Sequence, residues 1–314
     1  FKFKERKFLK TVYKKVSSNL LKELGKYGIL KFDGIFEYPK SGLKELALVS
    51  KKIKSLGGGL LLVDYGFLGQ NNVSTLQSVK KHKKTFVEAM NEDFGHRSEH
   101  QSMFTDIASS IGPLRHAQQH LKHWVKKDKR KVTPGILALL GAKSWVEYQP
   151  LGVVGVISPW NFPVNLTFTP LAGILSAGNR CMIKPSEYTP ATSAAMAIAF
   201  AEAFDEEEIA VVTGGPQTGS DFSGLAFDHL LFTGATSVAK HVMRAASANL
   251  VPVALELGGK SPVIISSKAE MDSTTDALMA GKMLNAGQIC LAPDYVFVPR
   301  ERMGEFVDST KRAV

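Results

Sequence analysis

Between residues 153 and 256, strand-like and helix-like segments take turns, and no other feature of the chain restricts its fold as much. Apolar runs over 153–157, 180–183, 209–213, 229–232 and 253–256 read as strands. Helical spacing marks 165–177, 191–203 and 237–248, and 222–225 reads as a short turn. Strands separated by helices of this length pack as a parallel sheet covered on both faces. The fold class expected is therefore α/β, a doubly wound parallel-sheet dinucleotide-binding domain followed by the start of an α/β catalytic domain. Such sheets bind ligands beyond the carboxyl ends of their strands, so the residues that close each strand carry the functional reading.

The run 153–157 closes in Ser158-Pro159-Trp160-Asn161-Phe162-Pro163. Two prolines hold the backbone around Asn161, whose amide can donate to a developing oxyanion, a contribution of about 3–4 kcal/mol. Equally, Asn161 can cap the helix that follows. The run 180–183 leads into Lys184-Pro185-Ser186-Glu187, a pair that can hold a ribose diol or form a surface ion pair of little value. After 229–232, Gly234 allows a tight turn into a helix whose free N–H groups can face a pyrophosphate, although the three-glycine dinucleotide fingerprint is absent. Glu256 lies among leucines and glycines. Apolar burial would raise its carboxyl toward a general base's working range, unless neighbouring backbone simply caps it. Last, Cys290 stands in a Gly-bearing turn between a helical stretch and the strand-like run Tyr295-Val296-Phe297-Val298. That is a place for a nucleophile, yet a free cysteine by itself reads more simply as a small packed hydrophobe.

Upstream, 86–95 and 99–127 read as helical, the second broken at Gly112-Pro113. The charge run 126–131 reads as a solvated helix end and 134–135 as a loop. Earlier still, 10–31 and 41–55 have helical spacing, and Gly57-Gly58-Gly59 leads into the strand-like run 60–66, which ends Asp64-Tyr65-Gly66. The first 85 residues hold 19 Lys and Arg against 6 Asp and Glu, leaving 20 against 23 in the rest. The net charge of +10 therefore belongs to the first segment. Its cluster 80–84 raises the question of nucleic acid, but no aromatic platform is interleaved with it. A solvated basic helix end is the reading kept, and no nucleic-acid partner is expected. No apolar run approaches the roughly 18–20 residues that span a bilayer, and the N-terminal stretch is not a secretory signal. Two cysteines make no disulfide framework, so a reducing, cytoplasmic setting is expected, with no metal site.

Taken together and in order, PWNFP (159–163), IKPSEYTP (183–190), FTGATSVAK (232–240), LELGGKSP (255–262) and GQIC (287–290) resemble the aldehyde dehydrogenase superfamily. The likeness covers about 86–314 and is greatest to its coniferyl aldehyde dehydrogenase branch. It implies Cys290 as nucleophile, Glu256 as base and Asn161 as oxyanion donor, with NAD as cofactor and NADP as its variant. It further implies cofactor contacts from Ser158, Pro159, Trp160, Lys184, Ser186, Glu187, Gly214, Gly234, Ser237, Leu257 and Gly258. An aldehyde substrate, a small bridging strand pair and a homo-oligomer, a dimer in full-length relatives, belong to the same expectation. Separately, VDYG (63–66) with TLQSVKKHK (75–83), within about 35–84, resembles a fragment of a class I methyltransferase of the complex I assembly type. Nothing upstream of Gly57 supplies that family's cofactor turn. The domains expected are thus 1–85, a basic methyltransferase-like fragment; 86–257, the NAD-binding domain with its N-terminal helices; and 258–314, the start of the catalytic domain.

Two departures qualify the resemblance. Ala239 stands where the family has a second glycine, adding a methyl near the expected cofactor approach. The family also carries a further catalytic segment beyond the position of Val314, so the chain is expected to be truncated and to turn over slowly or not at all alone. A nucleotide-binding module without catalysis and a basic interaction protein are the rival classes.

Overall fold

The computed structural model describes residues 75–314, within the second of the two units into which the chain divides, Asn71–Val314. The helices expected at 10–31 and 41–55, the strand at 60–66 and most of the methyltransferase-like stretch lie outside the described residues.

Helix α1 (Thr75–Phe94) runs without interruption through position 85, where the composition changes. Val79, Phe86 and Met90 share its fully buried face. The lysines of 80–84 are exposed in mid-helix rather than at a helix end, with Lys81 paired to Glu202 and Lys84 to Glu88. Next, α2 (Glu99–Ser102) passes through a π turn, Met103–Ala108, into α3 (Ser109–Trp124). The break expected at Gly112-Pro113 does not occur, because Pro113 removes one donor while Ile107, Leu114 and Ala117 bury a continuous stripe across it. The irregularity sits earlier, in the π turn. Hydroxyls of Thr105, Ser109 and Ser110 donate there to the carbonyls of Gln101, Thr105 and Asp106.

The charge run 126–131 is also corrected. It contains strand β1 (Asp128–Arg130), which pairs antiparallel with β2 (Ser144–Val146) across a short helix, α4 (Gly135–Leu139), where a loop was expected. A two-stranded ribbon leaves both faces to solvent, so charged side chains cost it nothing in burial. Lys127 bonds Glu147 at 3.0 Å and its ammonium lies 4.8 Å from the Trp145 ring centroid.

From here the alternation is as read. The order is β3 (Val153–Ile157), α5 (Asn165–Ser176), β4 (Arg180–Lys184), α6 (Pro190–Ala203), β5 (Ile209–Val211), α7 (Pro216–Ser223), β6 (His229–Gly234), α8 (Thr236–Ser247) and β7 (Val253–Leu257). Helix α7 replaces the isolated turn expected at 222–225. Gly214-Gly215 leads from the loop after β5 into the helix, and Pro216 takes the first helical position, where its missing N–H costs nothing. The five strands are parallel in the order β5-β4-β3-β6-β7. Period-two alternation sends Val154, Val156, Cys181 and Ile183 into one core with α1, α3, α5 and α6. Ile157, Leu230 and Phe232 enter a second core with α7 and α8. In the first, Phe168 stacks on Phe200 at 4.7 Å and meets the edge of Phe86 at 5.8 Å. Each fully buried aromatic contributes about 1.5–3 kcal/mol by area.

The chain continues with β8 (Ser261–Ile264), α9 (Met271–Met283), β9 (Pro293–Phe297) and α10 (Met303–Ala313). Strands β8 and β9 form a separate parallel pair. Among the described residues no helix is long and apolar enough to cross a membrane, and no group of three or more His, Cys, Asp or Glu could hold a metal ion.

Candidate active site

In the order β5-β4-β3-β6-β7 the chain leaves β3 toward one edge and returns beside it as β6. The loops that leave β3 and β6 therefore diverge and open a crevice at the strands' carboxyl ends. The β3 loop carries Ser158 to Pro163. Ser158 is buried, donates its N–H to the Lys184 carbonyl at 3.2 Å, and holds its hydroxyl 2.7 Å from that of Thr167. Its side chain is thus turned into the fold. Pro159 is half-buried, and Trp160 is exposed with its ring 6.4 Å from that of Phe94.

Asn161 does not cap α5. Asp106 does, accepting the N–H groups of Val164 and Asn165 at 3.1 and 3.0 Å. This frees the Asn161 side chain, whose Nδ2 donates to the carbonyl oxygen of Gln288 at 2.8 Å. Its own carbonyl accepts from Arg97 Nη1 at 2.9 Å and Asn285 Nδ2 at 3.0 Å. Asn285, 4% exposed, in turn accepts from Gln101 Nε2 at 2.7 Å.

Asn285, Ala286 and Gly287 have φ of 49°, 53° and 77°, three consecutive left-handed residues, of which asparagine and glycine tolerate this best. They reverse the chain after α9 so that Gln288 meets Asn161 and Cys290 falls in the turn before β9. Cys290 is exposed, whereas Cys181 is buried in β4, where loss of solvation pushes its thiol far up from the ordinary value. The packed cysteine is Cys181.

Glu256, next to last in β7, lies beside Thr233, and Leu257, its last residue, beside Gly234. The apolar burial expected for Glu256 is corrected: it is exposed, because strand alternation points it away from the core against which half-buried Leu255 and Leu257 pack. Strand order brings it to the same crevice, two strands from β3, while the amide and the thiol loop are joined by a direct hydrogen bond.

On the other side of the crevice the Lys184 side chain, 4% exposed, bonds Glu187 at 2.5 Å. This is not the surface pair weighed as the alternative. Partial burial pushes the Glu187 carboxyl up. Hydrogen bonds from Lys184 and its own backbone N–H, together with the Lys184 charge, outweigh that, so it lies below its ordinary value. Ser186 is buried and accepts the Tyr188 N–H at 3.2 Å, which closes the turn. Gly219 of α7 stands against Lys184, where an added Cβ would lie 3.8 Å from its side chain. Gly214 is exposed in the loop between β5 and α7, where a Cβ would collide with Thr218.

At the head of α8 no side chain caps the first turn, so its N–H groups, with exposed Ser237, are available to a ligand. Gly234 admits no Cβ without meeting the Phe232 ring at 2.7 Å. Gly258 opens onto free space. Ala239 is 2% exposed and packs in the core with Val242 and Ala246, so its extra methyl is spent inside the fold. A buried cation paired to a carboxylate, an uncapped helix start behind a glycine and an open glycine strand end together fit a dinucleotide.

Sequence reasoning missed Arg97, Asp106, Gln101 and Asn285. Only the Asn-Ala-Gly run signalled any of them, as a turn able to take left-handed backbone.

Known proteins resemble this chain in sequence and in fold. A sequence profile described as "Aldehyde dehydrogenase family" matches residues 73–314. The chain is 64% identical over 233 residues to the probable coniferyl aldehyde dehydrogenase of Caulobacter vibrioides, covering 74% of this chain and 48% of that protein. It is 51% identical to the coniferyl aldehyde dehydrogenase of a Pseudomonas species, again covering 74% and 48%. The chain thus spans about half the length of the curated relatives it matches. Among solved structures, the substrate-bound state of Staphylococcus aureus AldH superposes with a TM-score of 0.72 at 35% identity, covering 76% of this chain and 51% of that one. The aldehyde dehydrogenase of Mycobacterium tuberculosis complexed with NAD+ gives 0.69 at 29%, covering 76% and 48%.

Proposed function

The chain belongs to the aldehyde dehydrogenase family, and from that premise we propose that it carries the site for NAD-dependent oxidation of an aldehyde to a carboxylic acid. The observation that supports this most is the Asn161–Gln288 hydrogen bond, which brings an amide donor to the loop of an exposed thiol.

In this proposal the Cys290 sulfur, as thiolate, attacks the aldehyde carbon, and the carbonyl π pair becomes an oxyanion. Asn161 Nδ2 and the Cys290 N–H receive it. Collapse of the adduct re-forms C=O and expels hydride, leaving a thioester on Cys290. A nicotinamide dinucleotide, when bound, supplies the hydride acceptor. Exposed Glu256 takes a proton from water, whose oxygen attacks the thioester carbon; the C–S bond breaks and the acid leaves. Lys184, Ser186 and Glu187 would hold the adenosine ribose, the Gly234 turn and Ser237 the pyrophosphate, and Leu257 and Gly258 the nicotinamide side. Ser158, Pro159, Trp160 and Gly214 would line the groove, Ser158 through its backbone. Glu187 favours NAD over NADP.

The names of the relatives support aromatic aldehydes of coniferyl type as substrates, with medium aliphatic aldehydes the variant. Exposed Ile136 and Leu139 on α4, Leu140 just after it and Trp145 on β2 support self-association. Two free thiols support a reducing, cytoplasmic setting. We propose the layout 86–257 for cofactor binding and 258–314 for the beginning of the catalytic domain. The methyltransferase likeness of 35–84 is proposed as kinship of that stretch without cofactor binding.

The test reads a single turnover on the 314-residue protein. With NAD+ and coniferyl-type aldehyde, rapid quench and mass spectrometry should find NADH and an acyl adduct on Cys290, both lost in Cys290→Ser. A folded protein that binds NAD+ and forms neither would be a nucleotide-binding module instead.

A further inference from the structure

Arg97 and Asp106 form an ion pair whose side chains are essentially inaccessible to solvent. Burial lowers the Arg97 guanidinium from its ordinary value and raises the Asp106 carboxyl, against the hydrogen bonds and the charge each gives the other. Such a pair is expensive to desolvate, and a neutral serine or asparagine would cap a helix without that cost. What the guanidinium fork adds is reach. Nη2 donates to Asp106 and to Thr105 Oγ1, while Nη1 donates to the carbonyl of Asn161. The guanidinium carbon lies 4.7 Å from the Phe94 ring centroid and 5.4 Å from that of Phe162, the residue after Asn161. Asp106 uses its other oxygen to hold the N–H groups of Val164 and Asn165. Asn161 and the residues that follow it are thus tied to one buried pair.

From Asn161 the connection continues. Asn285 Nδ2 donates to the same carbonyl as Arg97, and the Asn161 amide donates to Gln288, two residues before Cys290. The left-handed run 285–287 is pinned by these side-chain bonds, by the Gln101 Nε2 donation to Asn285 and by the Gln288 N–H to Asn285 carbonyl contact.

We propose that Arg97 and Asp106 are positioning residues that fix the Asn161 peptide and, through it, the loop carrying Cys290. The proposal rests on the dehydrogenase reading for its chemistry, since it assigns the pair the task of bringing amide and thiol to one carbonyl carbon. Neither side chain touches the reacting atoms.

Hydrogen exchange followed by mass spectrometry separates this from a plain structural role. In Arg97→Met the peptide 284–292 should exchange about tenfold faster or more. The rate of Cys290 adduct formation should fall about ten- to a hundredfold, at an unchanged half-saturating aldehyde concentration. Arg97→Lys keeps a cation for Asp106 but lacks the fork, so peptide 163–170 should stay protected as in the unsubstituted protein while 284–292 remains fast. Because Arg97→Lys keeps the charge pair, it carries the test even if Arg97→Met fails to fold. Unchanged exchange at 284–292 in Arg97→Lys, in a protein that forms the adduct normally, overturns the positioning role. An unsubstituted protein that forms no adduct at all overturns the dehydrogenase reading instead, and the two failures are read on different measurements.

Discussion

The side-chain amide of Asn161 donates to the main-chain carbonyl of Gln288 at 2.8 Å, across 127 positions of sequence. A primary amide has two N–H groups. One is engaged with the thiol loop, and the other is the donor proposed for the oxygen of a bound carbonyl. In that proposal one bond both ties the loop to Asn161 and orients the amide.

Replacing that amide by a carboxylate tests both roles. Asn161→Asp removes the donors and sets a negative charge against the Gln288 carbonyl. The rate of NADH formation in a single turnover should fall about 10²–10³-fold, the loss typical of one oxyanion donor. A fall of less than threefold would remove Asn161 from the chemistry.

The two cysteines should separate cleanly. Iodoacetamide should modify exposed Cys290 in the folded protein and spare Cys181, whose thiol is buried and pushed far up. Adding urea should bring Cys181 into reaction, and peptide mapping reads both. Modification of Cys181 under native conditions would contradict the packing of β4.

Glu187 should leave a pH signature. Its folded carboxyl lies below the ordinary 4.5, chiefly because Lys184 offsets the upward push of burial. A lowered carboxyl stabilises the fold above its unfolded pKa, and the contribution is lost as pH falls through the folded value. Glu187→Gln should thus unfold at lower urea than the parent at neutral pH, with the gap narrowing as pH drops below about 4.5. The substitution should also weaken NAD+ binding, seen by titration calorimetry. A gap independent of pH would mean that the Lys184 bond is not made in solution.

Gly234→Ala adds a Cβ that meets the Phe232 ring at 2.7 Å, and that ring is packed in the core beneath α8. Overpacking of this kind costs about 1–3 kcal/mol. Denaturant midpoints should register it, and NAD+ affinity should fall beyond the loss in stability as the head of α8 shifts. An unchanged midpoint would show that the turn has room to spare.

The sequence alone was enough for what depends on neighbours along the chain. Strand-helix alternation identified the doubly wound sheet, because side-chain period and turn residues act over a few positions. The strand-end motifs put Lys184, Glu187, Gly234 and Glu256 at or just past the carboxyl ends of the parallel strands, since every parallel strand delivers its last residues to the same edge. It could not reveal which groups meet once the elements pack. Arg97 reaches Asn161 across 64 positions and Asn285 reaches it across 124. Asp106, not Asn161, caps α5, and β7 leaves Glu256 in solvent. Hydrogen bonds between distant segments leave no periodic trace, and burial is a property of the surfaces that come to lie against one another, so these were decided only when the chain folded.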